Sequence, residues 1–152
     1  RVAVAQRLAP LGMAVWGSAE WAHLPGMDYR GEAAWATELA KVICATEVNV
    51  NLSKPMFPTG LAPRILEVLA CGAFLLSNRL PAIEALFEDG RELVYYDSLE
   101  DLEDKTRHYL AHPEERRGIA EAGRRKVLEA HTWTHRARRI LEVLEACGAL
   151  PV

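Results

Sequence analysis

The stretch that decides the fold is NLSKPMFPTGLAPRILEVLACGAFLLSN, residues 51–78. It begins in a predicted strand over 46–54, where apolar and polar residues alternate as they do along a half-buried strand. A loop rich in proline follows, and the spacing then predicts a helix over 63–71 that ends at Gly72. The apolar run over 73–77 predicts a second strand. Strand, helix and strand in this order predict a βαβ unit with parallel strands.

The same pattern extends in both directions along the chain. Further strands are predicted over 13–16 and 93–96, and further helices over 1–10, 32–43, 81–87, 98–111, 114–129 and 132–147. Short strands that alternate with longer helices predict an α/β fold: a Rossmann-like, doubly wound parallel sheet with helices on both faces. We assign residues 1–152 to a single domain, with a C-terminal helix and tail over 131–152.

In sheets of this kind, ligands bind beyond the carboxyl ends of the strands. The predicted strands end at four places where a ligand could be contacted: Gly17-Ser18, Ser53-Lys54, Asn78-Arg79 and Asp97-Ser98. These strand ends are therefore the first positions to examine for chemistry.

The composition is that of an ordinary globular domain. The chain has 152 residues, of which 50% are hydrophobic and 26% charged, and its formal net charge is −3. No apolar run is long enough for a membrane-spanning helix, and the charge gives no reason to expect a nucleic-acid partner. The first residues, RVAVAQRLAP, do not resemble a secretory leader, so we expect a cytoplasmic protein. Because Arg1 starts a predicted helix that lacks an N-cap, we expect a fragment of a longer chain.

The three cysteines are Cys44, Cys71 and Cys147. They are odd in number, widely spaced and flanked by apolar residues. This arrangement predicts reduced cysteines in the core rather than a disulfide framework or a zinc site.

The start of the helix over 63–71 carries the most informative polar groups. Its free backbone N–H groups, with Arg64 beside them and with Lys54 and Gly60 in the preceding loop, would suit a phosphate or diphosphate. Glu67, one turn further on, could accept hydrogen bonds from a vicinal diol such as a ribose. The alternative is that Arg64 and Glu67, three positions apart, only form an ion pair with each other.

Other candidates lie at the remaining strand ends. Ser53 and Asn51 share one face of their strand and could reach the crevice, although a polar face on a partly covered strand explains them equally well. Gly17 could let a ligand approach closely, or it could simply form a tight turn. Asn78 lies at a strand end, where a ligand could be contacted, but its side chain does not indicate a particular ligand.

Two sequence motifs resemble a known family. They are Arg64-x-x-Glu67 before Ala70-Cys71-Gly72-Ala73, and His131-Thr132-Trp133-x-His135-Arg136. Both motifs resemble the C-terminal part of GT-B glycosyltransferases. The similarity is to the CgeB-like, spore-maturation-protein group and to glycosyl transferases group 1, and it covers about Val15 to Leu144.

The resemblance implies a Rossmann-like donor-binding domain of a hexosyltransferase-like enzyme that transfers a glycosyl group from a nucleotide sugar. In the related enzymes the glutamate that matches Glu67 usually bonds the donor ribose, and basic residues near the helix start neutralise the diphosphate. Many of them carry a second glutamate eight positions earlier, where this chain has Thr59. The resemblance also implies that the chain is inactive without an N-terminal domain of the same protein.

No metal or other cofactor is expected beyond the nucleotide-sugar substrate. The chain has no Asp-x-Asp motif, and the acidic cluster over 100–104 falls in a predicted helix, where it is explained as a solvated face. The alternative to an enzyme is a non-catalytic doubly wound interaction module or a degenerate glycosyltransferase domain. A degenerate domain stays possible because Thr59 stands where many related enzymes carry a glutamate.

Overall fold

Short parallel strands build the sheets of the protein. The structure is a computed structural model that describes residues 1–53 and 61–149. Within those residues the strands are β1 (Ala14–Val15), β2 (Asp28–Tyr29), β3 (Asn49–Asn51), β4 (Leu75–Asn78) and β5 (Val94–Tyr96). β1 pairs with β2, and β3, β4 and β5 form a second sheet in that order, with every pair parallel.

Helices connect these strands, and three more follow β5 within the described residues. They are α1 (Val2–Leu8), α2 (Leu39–Ala45), α3 (Pro63–Ala70), α4 (Pro81–Glu84), α5 (Leu99–Ala111), α6 (Pro113–Ala130) and α7 (Trp133–Ala146). Short 3-10 turns cover Ala9–Leu11 and Ala19–His23. The predicted Rossmann-like α/β class, with parallel strands and helices on both faces, is confirmed.

The core lies on both faces of the β3–β4–β5 sheet because side chains alternate along each strand. Leu75 and Tyr95 pack with residues of α2, α3, α4 and α6 on one face. Leu76 and Tyr96 pack with residues of α1, α5 and α6 on the other. Two apolar faces need two helical layers, which is why the segments of β4 and β5 are continuous apolar runs in the sequence.

Two local predictions differ from the structure. β2 lies inside the predicted loop over 19–31, and it pairs with β1 in a separate sheet, where the N–H of Arg30 donates to the carbonyl of Val15 at 2.9 Å. The predicted helix over 32–43 begins only at Leu39, because the preceding residues form a turn in which the Glu38 carboxylate accepts from the Ala34 N–H. Both differences depend on contacts that apolar spacing does not report.

α3 packs against α6. The contact is close because Gly123 of α6 has no side chain: a Cβ there would lie 2.3 Å from the Glu92 carbonyl oxygen and 2.9 Å from Leu69 Cδ2. The helix that begins at the carboxyl end of β3 is therefore held between the sheet and α6.

The remaining helix, α7, has no buried residue, and its Trp133 is 83% exposed. The expectation that the cysteines are core residues was wrong for Cys44 and Cys147, which are exposed, whereas Cys71 is half-buried and packs against the core. The three cysteines lie near the C-terminal ends of α2, α3 and α7. In the described part of the chain, no helix combines the length and the apolarity that crossing a membrane requires.

Candidate functional site

A cleft of about 810 Å³ opens where the carboxyl ends of β1 and β3 approach the start of α3. Its walls come from α1, β1, β3 and the first turn of α3. The residues that line it are Arg1, Val4, Ala5, Met13, Val15, Trp16, Trp21, Val50, Asn51, Leu52, Ser53, Leu61, Ala62, Pro63 and Arg64. This is the edge of the sheet where the strand ends predicted a ligand, and the volume is sufficient for a small organic molecule.

The first turn of α3 supplies the positive charge of this cleft. Ala62, the N-cap residue, is extended, and Pro63 at the first helical position fixes the entry of the chain. Among the described residues no side chain caps this helix end, and its first residues, with their N–H groups and partial positive charge, line the cleft. Arg64 lines the same wall, and its side chain is about half exposed. Together they form a wall suited to an anion.

Glu67 and Arg64 form the ion pair that the spacing allowed. Arg64 Nη1 lies 3.1 Å from Glu67 Oε2, and the other carboxylate oxygen accepts a hydrogen bond from the Trp35 indole N–H at 3.1 Å. Glu67 is not among the described residues that line the cleft. The structure therefore brings Arg64 to the cleft and places Glu67 one turn behind it, with a lone pair of each oxygen engaged.

The two other polar strand residues belong to a buried network. Asn51 Nδ2 donates to the hydroxyls of Ser53 and Ser77, both at 3.0 Å. The Ser53 N–H donates to Asn78 Oδ1 at 2.8 Å, and the Tyr96 hydroxyl donates to the Asn51 carbonyl at 3.0 Å. Burial raises the pKa of Tyr96 to about 12, so its hydroxyl stays protonated. The network connects the ends of β3, β4 and β5 and fixes Asn51 and Ser53, both buried, in the lining of the cleft.

Gly17 forms a tight turn beside the cleft. Its φ of +146° lies in a region that favours glycine, its N–H donates to the Gly31 carbonyl at 2.9 Å, and its carbonyl accepts from the Tyr29 hydroxyl. Both backbone groups are thus used to close the end of β1 and β2. The turn positions Trp16, the residue before it, along the cleft.

A cluster of ion pairs around Arg79 occupies the last two strand ends, Asn78-Arg79 and Asp97-Ser98. This guanidinium contacts Asp97, Glu84 and Asp89 at 2.8–2.9 Å and lies over the Tyr95 ring. These carboxylates raise the pKa of Arg79 above its already high value. Arg79 therefore connects β4, β5 and α4, and its donors are not directed at the cleft.

Tryptophans are the cleft residues that the sequence did not single out. Trp16 and Trp21 line the cleft, and Trp16 is 37% exposed. Trp35 does not line it but donates a hydrogen bond to Glu67, which pairs with the cleft residue Arg64. Flat aromatic faces beside a cationic helix end are suited to a planar ring. Trp16 was the available signal, because it is the last residue of the strand predicted over 13–16 and directly precedes Gly17.

Three predicted positions, Lys54, Gly60 and Thr59, lie outside the described residues. Among the residues that are described, no three histidine, cysteine or acidic side chains are grouped so that they could hold a metal ion. The acidic residues over 100–104 lie in the first turns of α5, where Asp101 pairs with Lys105 and Glu103 with Arg107. They act as paired surface charges.

Comparisons with known proteins bear on the whole domain. Residues 2–142 match a protein family described as glycosyl transferase-like. No curated protein matches. A solved structure described as "Crystal structure of GtfA/B complex" matches with a TM-score of 0.63 at 15% identity, over 95% of this chain and 32% of that one. At this identity the likeness shows the fold, and the chain spans about one third of that relative's length.

Proposed function

Because the chain belongs to the glycosyl transferase-like family, we propose that it is the nucleotide-sugar donor-binding domain of a GT-B glycosyltransferase. In this proposal the complete enzyme is CgeB-like, transfers a hexosyl group to an acceptor, and needs an N-terminal domain for activity. The chain alone binds the nucleotide part of the donor.

One observation carries the proposal: a surface with the chemistry of an anion site and two tryptophan side chains line a single cleft. The start of α3 and Arg64 provide the positive wall, and Trp16 and Trp21 provide flat apolar surface. A nucleoside diphosphate presents complementary groups, namely two phosphates and a planar base. Neither a purely apolar ligand nor a simple anion would use both walls.

The positive wall also has a role in the reaction. When the glycosyl bond breaks, the departing nucleoside diphosphate gains negative charge on its terminal phosphate. A guanidinium and helix N–H groups that are already in place stabilise this charge without reorganisation. We assign this role to Arg64 and the first turn of α3, with Lys54 and Gly60 of the preceding loop as further predicted contacts.

Glu67 is assigned to the ribose. A carboxylate has about four lone-pair sites, and Trp35 and Arg64 occupy one on each oxygen, so further sites remain for a diol. Arg64 has five N–H donors and can contact Glu67 and a phosphate at once. The ion pair therefore spans the junction between the sugar and the phosphates. Asn51 and Ser53 form the floor of the cleft, Asn78 holds Ser53, and Gly17 shapes the β1 wall.

Calorimetric titration of the full chain with UDP, GDP and ADP tests the proposal, with the corresponding nucleosides as matched ligands. We expect at least one diphosphate to bind in the millimolar range or below, and its nucleoside to bind more weakly. A folded protein that binds none of the three diphosphates at millimolar concentration would contradict the proposal. That result would favour the alternative, a non-catalytic doubly wound interaction module or a degenerate transferase domain.

A further inference from the structure

A second cleft, of about 280 Å³, lies at the opposite edge of the sheet, where β3 and β4 begin. Two of the three cysteines, Cys44 and Cys71, line it together. The Cys44 Sγ lies 3.9 Å from the Cys71 carbonyl oxygen, although 27 positions separate them in the chain. The fold therefore brings two thiols to one accessible place that the donor site does not use.

The surroundings give the two thiols different reactivity. Cys44 is exposed near the C-terminus of α2, whereas Cys71 is half-buried at the C-cap of α3. Burial raises the pKa of the Cys71 thiol, and the neighbouring Cys44 side chain raises it further. An exposed thiol reacts with a reagent in solution, while a shielded neighbour reacts with the first thiol once it is modified.

We propose that Cys44 and Cys71 form a reversible intramolecular disulfide that joins the end of α2 to the end of α3. The oxidant is a low-molecular-weight disulfide such as oxidised glutathione. The Cys44 thiolate attacks one sulfur of the reagent, whose S–S bond breaks and releases one small thiol. The Cys71 thiolate then attacks Cys44 Sγ and releases the second. The protein thiols lose two protons and two electrons, and the reagent gains both as two small thiols.

The bond connects segments that also meet next to the donor cleft. Trp35, in the turn before α2, contacts Glu67 of α3. A disulfide at the far end of the same pair of segments restricts how far α2 can separate from α3. Because it also closes a loop in the unfolded chain, we expect the melting temperature to rise by roughly 5–15 °C on oxidation and to return on reduction.

The test is treatment of the full chain with oxidised glutathione, followed by peptide mapping without reductant. We expect a loss of about 2 Da, the two hydrogens removed in disulfide formation, and a Cys44–Cys71 linked peptide. The link should be absent from Cys44→Ser and Cys71→Ser and present in Cys147→Ser, the matched control on the exposed C-terminal side. The peptide map of the wild-type protein identifies the linked cysteines directly, so the test remains valid even if one variant does not fold.

Glutathione adducts alone, disulfides between chains, or a link that includes Cys147 would overturn the proposal. An oxidised form that melts at the same temperature as the reduced form would also overturn it, because the bond would then not tether the helices. None of these readouts depends on nucleotide binding.

Discussion

The indole N–H of Trp35 donates to Oε1 of Glu67 at 3.1 Å, across 32 positions of the chain. The tryptophan side chain is nevertheless largely exposed, as the residue is 72% accessible. The other oxygen of the same carboxylate pairs with Arg64, which lines the cleft. The Glu67 carboxylate, one turn behind the start of α3, is thus held from two sides.

The assignment of Glu67 to the ribose predicts a specific interaction. Glu67→Gln should weaken UDP binding by about tenfold, the size expected for a lost hydrogen bond to a charged group. It should have a much smaller effect on 2′-deoxy-UDP, which lacks one of the two hydroxyls. Calorimetry of both proteins with both ligands gives the coupling directly. Equal losses for the two ligands would instead mean that Glu67 acts only by positioning Arg64.

The role of Arg64 predicts a loss that depends on the phosphates. Arg64→Ala should weaken binding of a nucleoside diphosphate by about tenfold to a hundredfold and leave nucleoside binding nearly unchanged. Arg139→Ala is the matched control, since Arg139 also pairs with a glutamate three positions on, at 3.2 Å, but on α7. Both variants should keep the melting temperature, because an exposed pair of this kind contributes about 0.2–0.5 kcal/mol. Similar affinities of the two variants for the diphosphate would reassign Arg64 to structure.

The close packing of α6 at Gly123 predicts that replacing glycine by alanine has opposite effects on stability at Gly123 and at Gly118, both in α6. Gly123→Ala places a Cβ against the Glu92 carbonyl and should lower the free energy of unfolding by about 1–3 kcal/mol. At Gly118 a Cβ meets nothing within 4 Å, so Gly118→Ala should raise it by about 0.5–1 kcal/mol. Urea unfolding of both variants measures the difference. A Gly123→Ala protein as stable as Gly118→Ala would show that α6 does not pack closely against Glu92 and Leu69.

His131 predicts part of the pH dependence of stability. Burial, followed by the nearby Arg136 and Lys126, lowers the pKa of His131 below its usual 6.5. The folded state therefore favours the neutral ring, and its contribution is present above about pH 6.5 and is lost as pH falls through the folded-state pKa. Melting curves between about pH 7.5 and 5.5 should show a shallower acid loss in His131→Gln than in the wild type. The exposed His23→Gln should behave as the wild type, and equal slopes in all three proteins would exclude this contribution.

The layers of the fold could be predicted from the sequence because they follow from spacing. Alternation around Val50 and the apolar runs at β4 and β5 place parallel strands between helices, and the structure confirms them. β2 escaped prediction because Asp28 and Tyr29 have no apolar run and are strand only through pairing with β1. The start of α2 at Leu39 was not predicted because a turn replaces the first residues of the helix predicted over 32–43.

The candidate site was predictable only in part. The position of Arg64 followed from a helix that begins after a strand, and the cleft is found there. The contacts of Trp16 and Trp35 could not be predicted, since each depends on segments that are distant in sequence. The buried network around Asn51 was likewise hidden, because a polar residue on a strand reads as exposed unless its partners are known.

The central claim is that a nucleoside diphosphate binds in the cleft between β1, β3 and the start of α3. The four tryptophans of the chain allow a direct test, because their indole N–H groups give separate signals in a ¹⁵N-correlated NMR spectrum. Titration with UDP, GDP or ADP should shift the signals of Trp16 and Trp21 in the cleft, and of Trp35 at Glu67, and leave Trp133 on α7 unchanged. Signals that do not move for any of the three ligands at millimolar concentration, or a shift of Trp133 alone, would contradict the claim.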